Sequence, residues 1–192
     1  MFRFILGLTL FAVALTVQAQ AKGFYVSGSF GPNWDEDPPF AFVNEDTGLV
    51  GTIALGTHIA GVDGLRVELE ASFRSHESTI GPITLEHDTT AVMANVVWDI
   101  DAFAMGRVVP FVLVGGGIAG TELTFGGLGS PSIENDGFGF QMGAGANYRI
   151  TDTVSGGLQY RYASLPAVEL FGFELDGGGN HALLATVNVA LD

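Results

Sequence analysis

Residues 65–74 read Leu-Arg-Val-Glu-Leu-Glu-Ala-Ser-Phe-Arg, with apolar and polar side chains in strict alternation. Successive side chains of a β-strand point to opposite faces, so this segment predicts a strand with one apolar and one charged face. Weaker forms of the pattern recur along the chain, whereas helical periodicity is weak, which predicts an all-β protein, an eight-stranded antiparallel up-and-down β-barrel. The predicted strands are residues 24–30, 49–59, 65–74, 89–98, 108–121, 137–149, 154–162 and 181–191.

The amino terminus predicts an export signal that precedes the folded domain. Met1–Arg3 carries a positive charge, residues 4–17 form an apolar run, and Ala19-Gln20-Ala21 is a small-x-small cleavage site. We therefore expect residues 1–21 to be a signal peptide and residues 22–192 to form one barrel domain. No later stretch reaches the roughly 20 apolar residues of a membrane helix, and the chain has no cysteine for a disulfide.

The chain is strongly acidic, and the acids are unevenly placed. Twenty-one acids against seven bases give a formal charge of −14, which argues against a nucleic-acid partner because such partners select a basic surface. Acids concentrate in four long predicted loops, whereas the other three connections are shorter. The long loops are residues 31–48, 75–88, 122–136 and 163–180. Outer-membrane barrels show this asymmetry, with short turns facing the periplasm and long loops facing the exterior.

Alternation alone does not say which face meets the surroundings. A soluble barrel turns its apolar face inward, and a membrane barrel turns it outward. The polar face here is lined mainly by Gly, Ser and Ala, which leaves room in a narrow barrel for a few large polar groups. We expect a lumen charge network, since enclosed charges must be paired. Its predicted members are Arg66, Glu68, Glu70, Arg74, Asp99, Arg149 and Arg161.

Aromatic residues near both ends of the apolar faces favour the outward orientation, because a bilayer has two interfaces and aromatic rings collect at both. The predicted ring at the short-turn end contains Phe24, Trp98, Phe111 and Tyr148. The predicted ring at the long-loop end contains Phe30, Trp34, Phe73, Phe138 and Tyr160 or Tyr162. The sequence therefore favours a transmembrane β-barrel in the cell outer membrane, with a soluble exported barrel that binds an apolar ligand as the alternative.

Short motifs along the mature chain resemble a known family. Gly23-Phe24-Tyr25-Val26-Ser27-Gly28-Ser29-Phe30-Gly31 is similar to the opening strand of the opacity/porin-like outer-membrane β-barrel domain of Gram-negative bacteria, and residues 65–70 are similar to its third strand. Residues 93–96, 110–117, 143–150 and 159–162 resemble its later strands. The resemblance implies a small eight-stranded barrel in the outer membrane. It implies little about activity, because members of the family differ mostly in their loops.

No catalytic signature stands out, and we expect neither a metal nor a cofactor. The alternative activity is that of a lipid-modifying enzyme, and its best candidate catalytic residues are His181 with Thr186 or Ser164. The segments 76–77 and 86–88, which hold two histidines and three acids, would meet if their loop folds as a hairpin. Their spacing fits no established metal motif and favours a solvated acidic loop. Bulk solute flow is not expected, because side chains close an eight-stranded lumen.

Apolar residues among the loop acids are the candidate contact sites. Phe40 and Phe42 lie in the first long loop, and Phe171 and Phe173 lie in the last, where residues 168–175 predict a protruding hairpin. Exposed apolar patches often mark contact surfaces. Alternatively, these rings pack against each other or enter the lipid headgroups. The expected function is a structural or adhesin-like, non-catalytic role for a monomer whose partners are the outer-membrane bilayer and host or neighbouring-cell surface molecules.

Overall fold

The computed structural model describes residues 23–35, 44–45, 47–80, 83–125, 132–166, 168–170, 173–176 and 179–191. Its strands, in chain order, are β1 (Phe24–Asp35), β2 (Asn44–Glu45), β3 (Gly48–His58), β4 (Leu65–Ile80), β5 (Ile83–Asp99), β6 (Val108–Phe125), β7 (Ser132–Arg149), β8 (Val154–Ser164), β9 (Val168–Leu170), β10 (Phe173–Asp176) and β11 (Gly179–Ala190). A short 3-10 helix, Asp101–Phe103, lies between β5 and β6. Three strands, β2, β9 and β10, have two to four residues, and the other eight form the barrel.

The eight long strands close on themselves. Each pairs antiparallel with the long strands before and after it, and β1 pairs with β11. Tyr25, for example, lies opposite Gly56 of β3 and Ala190 of β11. The predicted eight-stranded up-and-down barrel is confirmed, and closure removes the unpaired edges that an open sheet would expose.

The apolar face of the strands points outward. In β4, Glu70 and Arg74 are only 2% and 3% exposed, whereas Leu69 and Phe73 are about half exposed. The other strands follow the same alternation, so large apolar side chains cover the outer wall. The predicted membrane orientation is therefore confirmed, and a water-soluble barrel would need the reverse arrangement. Among the described residues, no helix is long and apolar enough to cross a membrane.

Strand β6 corrects one predicted aromatic position. The sequence left the faces of this strand ambiguous, because it is apolar on both sides and contains Pro110 and three consecutive glycines. Val112, Val114 and Ile118 point outward, whereas Phe111 is buried in the lumen, where its ring centroid lies 6.0 Å from the guanidinium carbon of Arg66. Phe111 therefore does not belong to the aromatic ring at the short-turn end.

Two of the four predicted long loops are largely strand. β4 and β5 continue as a hairpin until Ile80 lies opposite Ile83, and β6 and β7 remain paired as far as Thr124 and Ser132. β6 and β7 have 18 residues each, whereas about 9–11 tilted residues cross an outer membrane. These hairpins therefore extend beyond the bilayer. In the last connection, β9 and β10 form the predicted protruding hairpin, with Glu169 opposite Glu174.

At two positions a neighbouring group comes so close to the backbone that only glycine fits. Gly64, in the turn between β3 and β4, has φ of 74° and packs against the backbone oxygen of Asp99. Gly56, on the inner face of β3, lies directly under the ring of Tyr25, so that a Cβ atom at this position would overlap the ring. Gly56 therefore makes the space that lets Tyr25 turn into the lumen.

Candidate functional site

The lumen is crossed near the short-turn end by a cluster around Arg66. The Arg66 guanidinium donates through Nε and Nη2 to the two carboxylate oxygens of Asp99, both at 2.8 Å, and through Nη1 to the hydroxyl of Tyr25 at 2.7 Å. Tyr25 in turn donates to Glu68 at 2.6 Å, and Glu68 lies 3.3 Å from Arg66. Two carboxylates thus surround one buried guanidinium, which is what a charge inside a barrel needs.

A second cluster fills the middle of the lumen around Glu70. Both carboxylate oxygens accept from Nη1 of Arg161, at 2.6 and 2.7 Å, and one also accepts from Nε2 of Gln141 at 3.0 Å. Gln141 bonds onward to Asn95 at 2.8 Å. The Glu70 and Arg161 side chains are each 2% exposed. This cluster joins side chains from β4, β5, β7 and β8 into one hydrogen-bonded layer across the barrel.

Uncharged side chains extend this layer to β1 and β11. Arg161 also donates to Gln159 at 3.2 Å, and Gln159 donates to the hydroxyls of Ser29 and Thr186 at 3.2 and 3.0 Å. Gln159, Gln141 and Tyr25 were not among the predicted members of the charge network, although strand alternation puts all three on the polar face. Their even or odd position along each strand could have shown that they face the lumen. Every large polar group on the inner face of a narrow barrel must find hydrogen-bond partners there.

Arg74 lies in the lumen on the long-loop side of the Glu70 cluster. It is 3% exposed, donates through Nη1 to Ser72 at 3.0 Å, and interacts electrostatically with Arg161, Glu70 and Asp35. It lies opposite Thr89 of β5, whose hydroxyl bonds to that of Thr121 at 3.1 Å. Polar side chains thus continue to fill the lumen from the Glu70 cluster toward the long-loop end.

Six of the seven predicted network residues lie inside the barrel, and the seventh is wrong. The side chain of Arg149 is 64% exposed at the short-turn mouth, where Nη2 lies 3.9 Å from Asp101. Strand parity predicted its face, but parity does not say how far along the barrel axis a residue sits. The void in mid-lumen, between Arg66 and Arg161, is about 20 Å³, roughly the space of a single water molecule. The arrangement can stabilise the barrel, and in the part of the chain that the structure describes these side chains fill the middle of the lumen.

His181 lies on the outer wall and, among the described residues, makes no hydrogen bond to Thr186 or Ser164. Its ring contacts Trp34, Tyr160 and Tyr162, and its Nδ1 lies 2.5 Å from the Tyr160 hydroxyl. Thr186 faces the lumen, where it bonds to Ser29, so it cannot act together with His181. Ser164 lies opposite Gly179, two residues from His181, and the Nδ1 that would act as a base is engaged by Tyr160. His181 therefore belongs to the aromatic ring at the long-loop end.

The hairpin between β4 and β5 brings together the backbones of the other histidine segments. His76 lies opposite His87, and Glu77 opposite Glu86, as expected for a folded hairpin. The described residues contain no group of three or more histidines and acids that could hold a metal ion. His58 lies at the short-turn mouth, where Nδ1 is 3.2 Å from the carbonyl oxygen of Gly23.

The loop contact candidates fall outside the described part of the chain. Phe40, Phe42 and Phe171 lie outside the described residues, and Phe173 begins β10 with its backbone opposite Leu170 but with its side chain outside the described part. Their contact role remains a prediction. The signal peptide is likewise a prediction, because residues 1–22 lie outside the described residues.

An outward apolar wall, an aromatic ring at each end and a polar, filled interior define a transmembrane β-barrel. The outer membrane protein beta-barrel domain family matches residues 4–189. The chain belongs to this family, and its location is the cell outer membrane. No curated protein matches the chain.

Solved structures share the fold at low sequence identity. Neisserial surface protein A is 18% identical, with a TM-score of 0.63, and the match covers 89% of this chain and 99% of that chain. A major outer membrane protein from Thermus thermophilus is 11% identical, with a TM-score of 0.64 and coverage of 88% and 99%. Ail of Yersinia pestis, the attachment invasion locus protein solved with the heparin analogue sucrose octasulfate, is 14% identical, with a TM-score of 0.51 and coverage of 88% and 99%.

Proposed function

We propose that this barrel is a non-catalytic surface protein that binds partners through its acidic, externally extended loop end. The proposal rests on the difference between the filled lumen and the long-loop end of the barrel. The lumen is filled by interlocked side chains, which suits a rigid support, whereas two hairpins continue beyond the length that a bilayer needs. Binding residues concentrate on such extensions of rigid scaffolds.

The charge of the loop end indicates the class of partner. The four long connections contain fourteen of the 21 acids and none of the seven bases. Asp88 of β5 even lies directly opposite Glu122 of β6, although like charges at paired positions destabilise a sheet. A surface of one sign attracts partners of the opposite sign and repels others. The partner that fits is therefore a protein surface rich in Lys and Arg.

Ail provides a contrast within the same fold. That protein was solved in complex with a heparin analogue, which is a polyanion. Apart from His76 and His87, the ionisable side chains in the long connections of this chain are carboxylates, which repel a polyanion. We infer that this barrel uses the same scaffold to bind positively charged partners. Sulfated polysaccharides, which are negatively charged, are therefore not expected to bind.

Adhesion of cells that display the protein tests the proposal. The cells are allowed to settle on surfaces coated with polylysine, with a basic protein such as lysozyme, or with heparin. We expect retention on the two basic surfaces and not on heparin, with a steep decrease as salt shortens the range of the attraction from about 30 Å at 0.01 M to 8 Å at 0.15 M.

Two matched triple variants test whether the acids at the long-loop end cause the retention of cells on basic surfaces. Retention should fall severalfold when three acids at the loop end become amides, and it should not change when three acids at the short-turn end do. The first set is Asp88→Asn, Glu122→Gln and Asp136→Asn; the second set is Asp63→Asn, Asp101→Asn and Asp152→Asn. Equal effects of the two sets would reject the proposal, as would retention on heparin.

The apolar loop residues form a separate arm of the same experiment. Phe40, Phe42, Phe171 and Phe173 are replaced together by Ser. If these rings contact the partner, retention on the basic protein should fall while retention on polylysine, which offers no apolar surface, should persist. Unchanged retention on both would leave the charge alone responsible and would reject the contact role of the four rings.

A further inference from the structure

A cup-shaped cavity of about 480 Å³ opens at the short-turn end of the barrel. Its floor is the Arg66 cluster, where Tyr25 and Asp99 line the cavity, and below this floor the described residues enclose the mid-lumen void of about 20 Å³. Small-molecule sites typically have volumes of about 300–1,000 Å³. The cavity is therefore a blind site of ligand size, open to the periplasm because short turns face that side.

Two arginines lie side by side on one wall of this cup. The backbone N–H of Arg149 donates to the carbonyl oxygen of Arg107 at 2.9 Å, which places both side chains at the ends of neighbouring strands β6 and β7. Both residues are exposed and both line the cavity. Arg107 makes no ion pair with a described carboxylate, and the contact of Arg149 with Asp101 is long and solvated, so it contributes little. The two positive charges are thus available to an incoming group.

The remaining charges of the lining do not cancel this pair completely. Asp99 is held by Arg66 through two hydrogen bonds, so its charge is already compensated. Asp152 on the rim is the other carboxylate of the described lining. Within the lining itself three arginines face two carboxylates, while Glu68 lies behind the floor against Arg66 and Asp101 lies outside the lining beside Arg149.

Neutral polar groups complete the cup. Asn147, Ser155 and Asn188 line its inner wall, where Nδ2 of Asn188 donates to the other two residues at 3.2 Å. Thr151 and Thr153 lie on the turn above them. Amides and hydroxyls both donate and accept hydrogen bonds, so they suit the hydroxyl groups of a polyhydroxylated ligand.

We propose that the cup binds a small polar molecule of the periplasm by an oxyanion, a phosphate or a carboxylate, held between Arg107 and Arg149. Guanidinium groups match both anions through paired hydrogen bonds. The amides and hydroxyls of the inner wall contact the rest of the ligand. This site lies at the end opposite the acidic connections and does not depend on the proposed role of the loops.

Nuclear magnetic resonance of the full mature chain in a non-ionic detergent tests the site. The amide signals are followed at constant ionic strength during titration with inorganic phosphate, with glucuronate, or with neutral N-acetylglucosamine. We expect saturable shifts at Arg107, Arg149 and residues 151–155 with one or both anions. Saturation by phosphate alone, or by glucuronate alone, identifies the anion that the site accepts.

Three variants separate binding from general charge effects. Arg107→Gln with Arg149→Gln should weaken binding at least about tenfold, because charge-assisted hydrogen bonds are lost. Asp152→Asn should strengthen binding by removing the opposing charge. Arg161 and Glu70 signals serve as an internal check that the barrel remains folded. Shifts that rise without saturation, that persist in the double variant, or that the neutral sugar reproduces would overturn the proposal.

Discussion

Replacement of Glu70 by Gln is expected to destabilise the barrel strongly. The Glu70 carboxylate is 2% exposed and accepts three hydrogen bonds, two from Arg161 and one from Gln141. Removing one member of a buried ion pair typically costs about 3–5 kcal/mol, because the other charge remains buried without compensation. Arg74 also interacts with both members of the pair, so the variant would leave two mutually repelling guanidiniums, of which Arg74 has a further acid, Asp35, acting on it. We therefore expect a loss of about 4–5 kcal/mol in the free energy of unfolding.

A double-mutant cycle separates the pair from its surroundings. Arg161→Gln should cost less than Glu70→Gln, about 3 kcal/mol, since Glu70 would keep Gln141 and the attraction of Arg74. The double variant should cost clearly less than the sum, with a coupling free energy of about 2–3 kcal/mol. Glu70→Gln keeps the shape of the side chain, whereas Arg161→Gln also shortens a buried side chain and removes its bond to Gln159; these losses occur in both the single and the double variant and cancel in the coupling free energy.

Reversible urea unfolding from phosphatidylcholine vesicles measures these values. The emission of Trp34 and Trp98, which lie on the outer wall, reports on the transition, and the mobility of the folded barrel in gels reports on it independently. Arg149→Gln is the matched control, because this arginine is 64% exposed and its carboxylate partner lies 3.9 Å away, so its loss should cost less than about 1 kcal/mol. A cost for Glu70→Gln as small as that of the control, or strict additivity in the cycle, would refute the reasoning.

Three further outcomes follow from the geometry. Gly56→Ala should cost about 1–3 kcal/mol because its Cβ atom would overlap the Tyr25 ring, whereas Gly51→Ala on the same strand meets nothing closer than 4.0 Å and should be tolerated; similar unfolding midpoints for the two variants would contradict this. In planar bilayers no stable conductance steps are expected, since the mid-lumen void is about 20 Å³, and regular steps would show that the filled lumen opens. Lipids brominated in their acyl chains should quench the emission of Trp98, which is 54% exposed on the outer wall, and its protection from quenching would reject the orientation.

Much of the fold could be predicted from local pattern. The alternation in β4 predicted its two faces correctly, because the direction of a side chain depends only on its parity along the strand. Phe111 was misplaced because β6 carries apolar residues on both faces, so the alternation of polar and apolar residues could not show which face points outward. The hairpin ends around Ile80 and Thr124 were read as loops, since Gly, Pro and acids interrupt the alternation there. Pairing with the neighbouring strand keeps these segments extended despite that composition.

The candidate site was predictable in composition but not in arrangement. The sequence identified Arg66, Glu70 and Arg161 as groups that must share the lumen. It did not identify their partners, and it placed Arg149 inside although that residue lies at the mouth. Parity fixes the face of a residue, whereas its depth depends on the tilt and stagger of strands within the closed barrel.

The sequence by itself determined that the chain makes eight two-faced strands, since side-chain alternation and turn chemistry act over a few neighbouring residues. Only the tertiary structure decided which charges meet. Glu70 and Arg161 are 91 residues apart in the chain and become neighbours because closure brings β4 and β8 to facing walls of one narrow lumen. The depth of the mouth and the pairing of Arg107 with Arg149 depend on the same closure, because strand stagger is a property of the whole barrel and of no single segment.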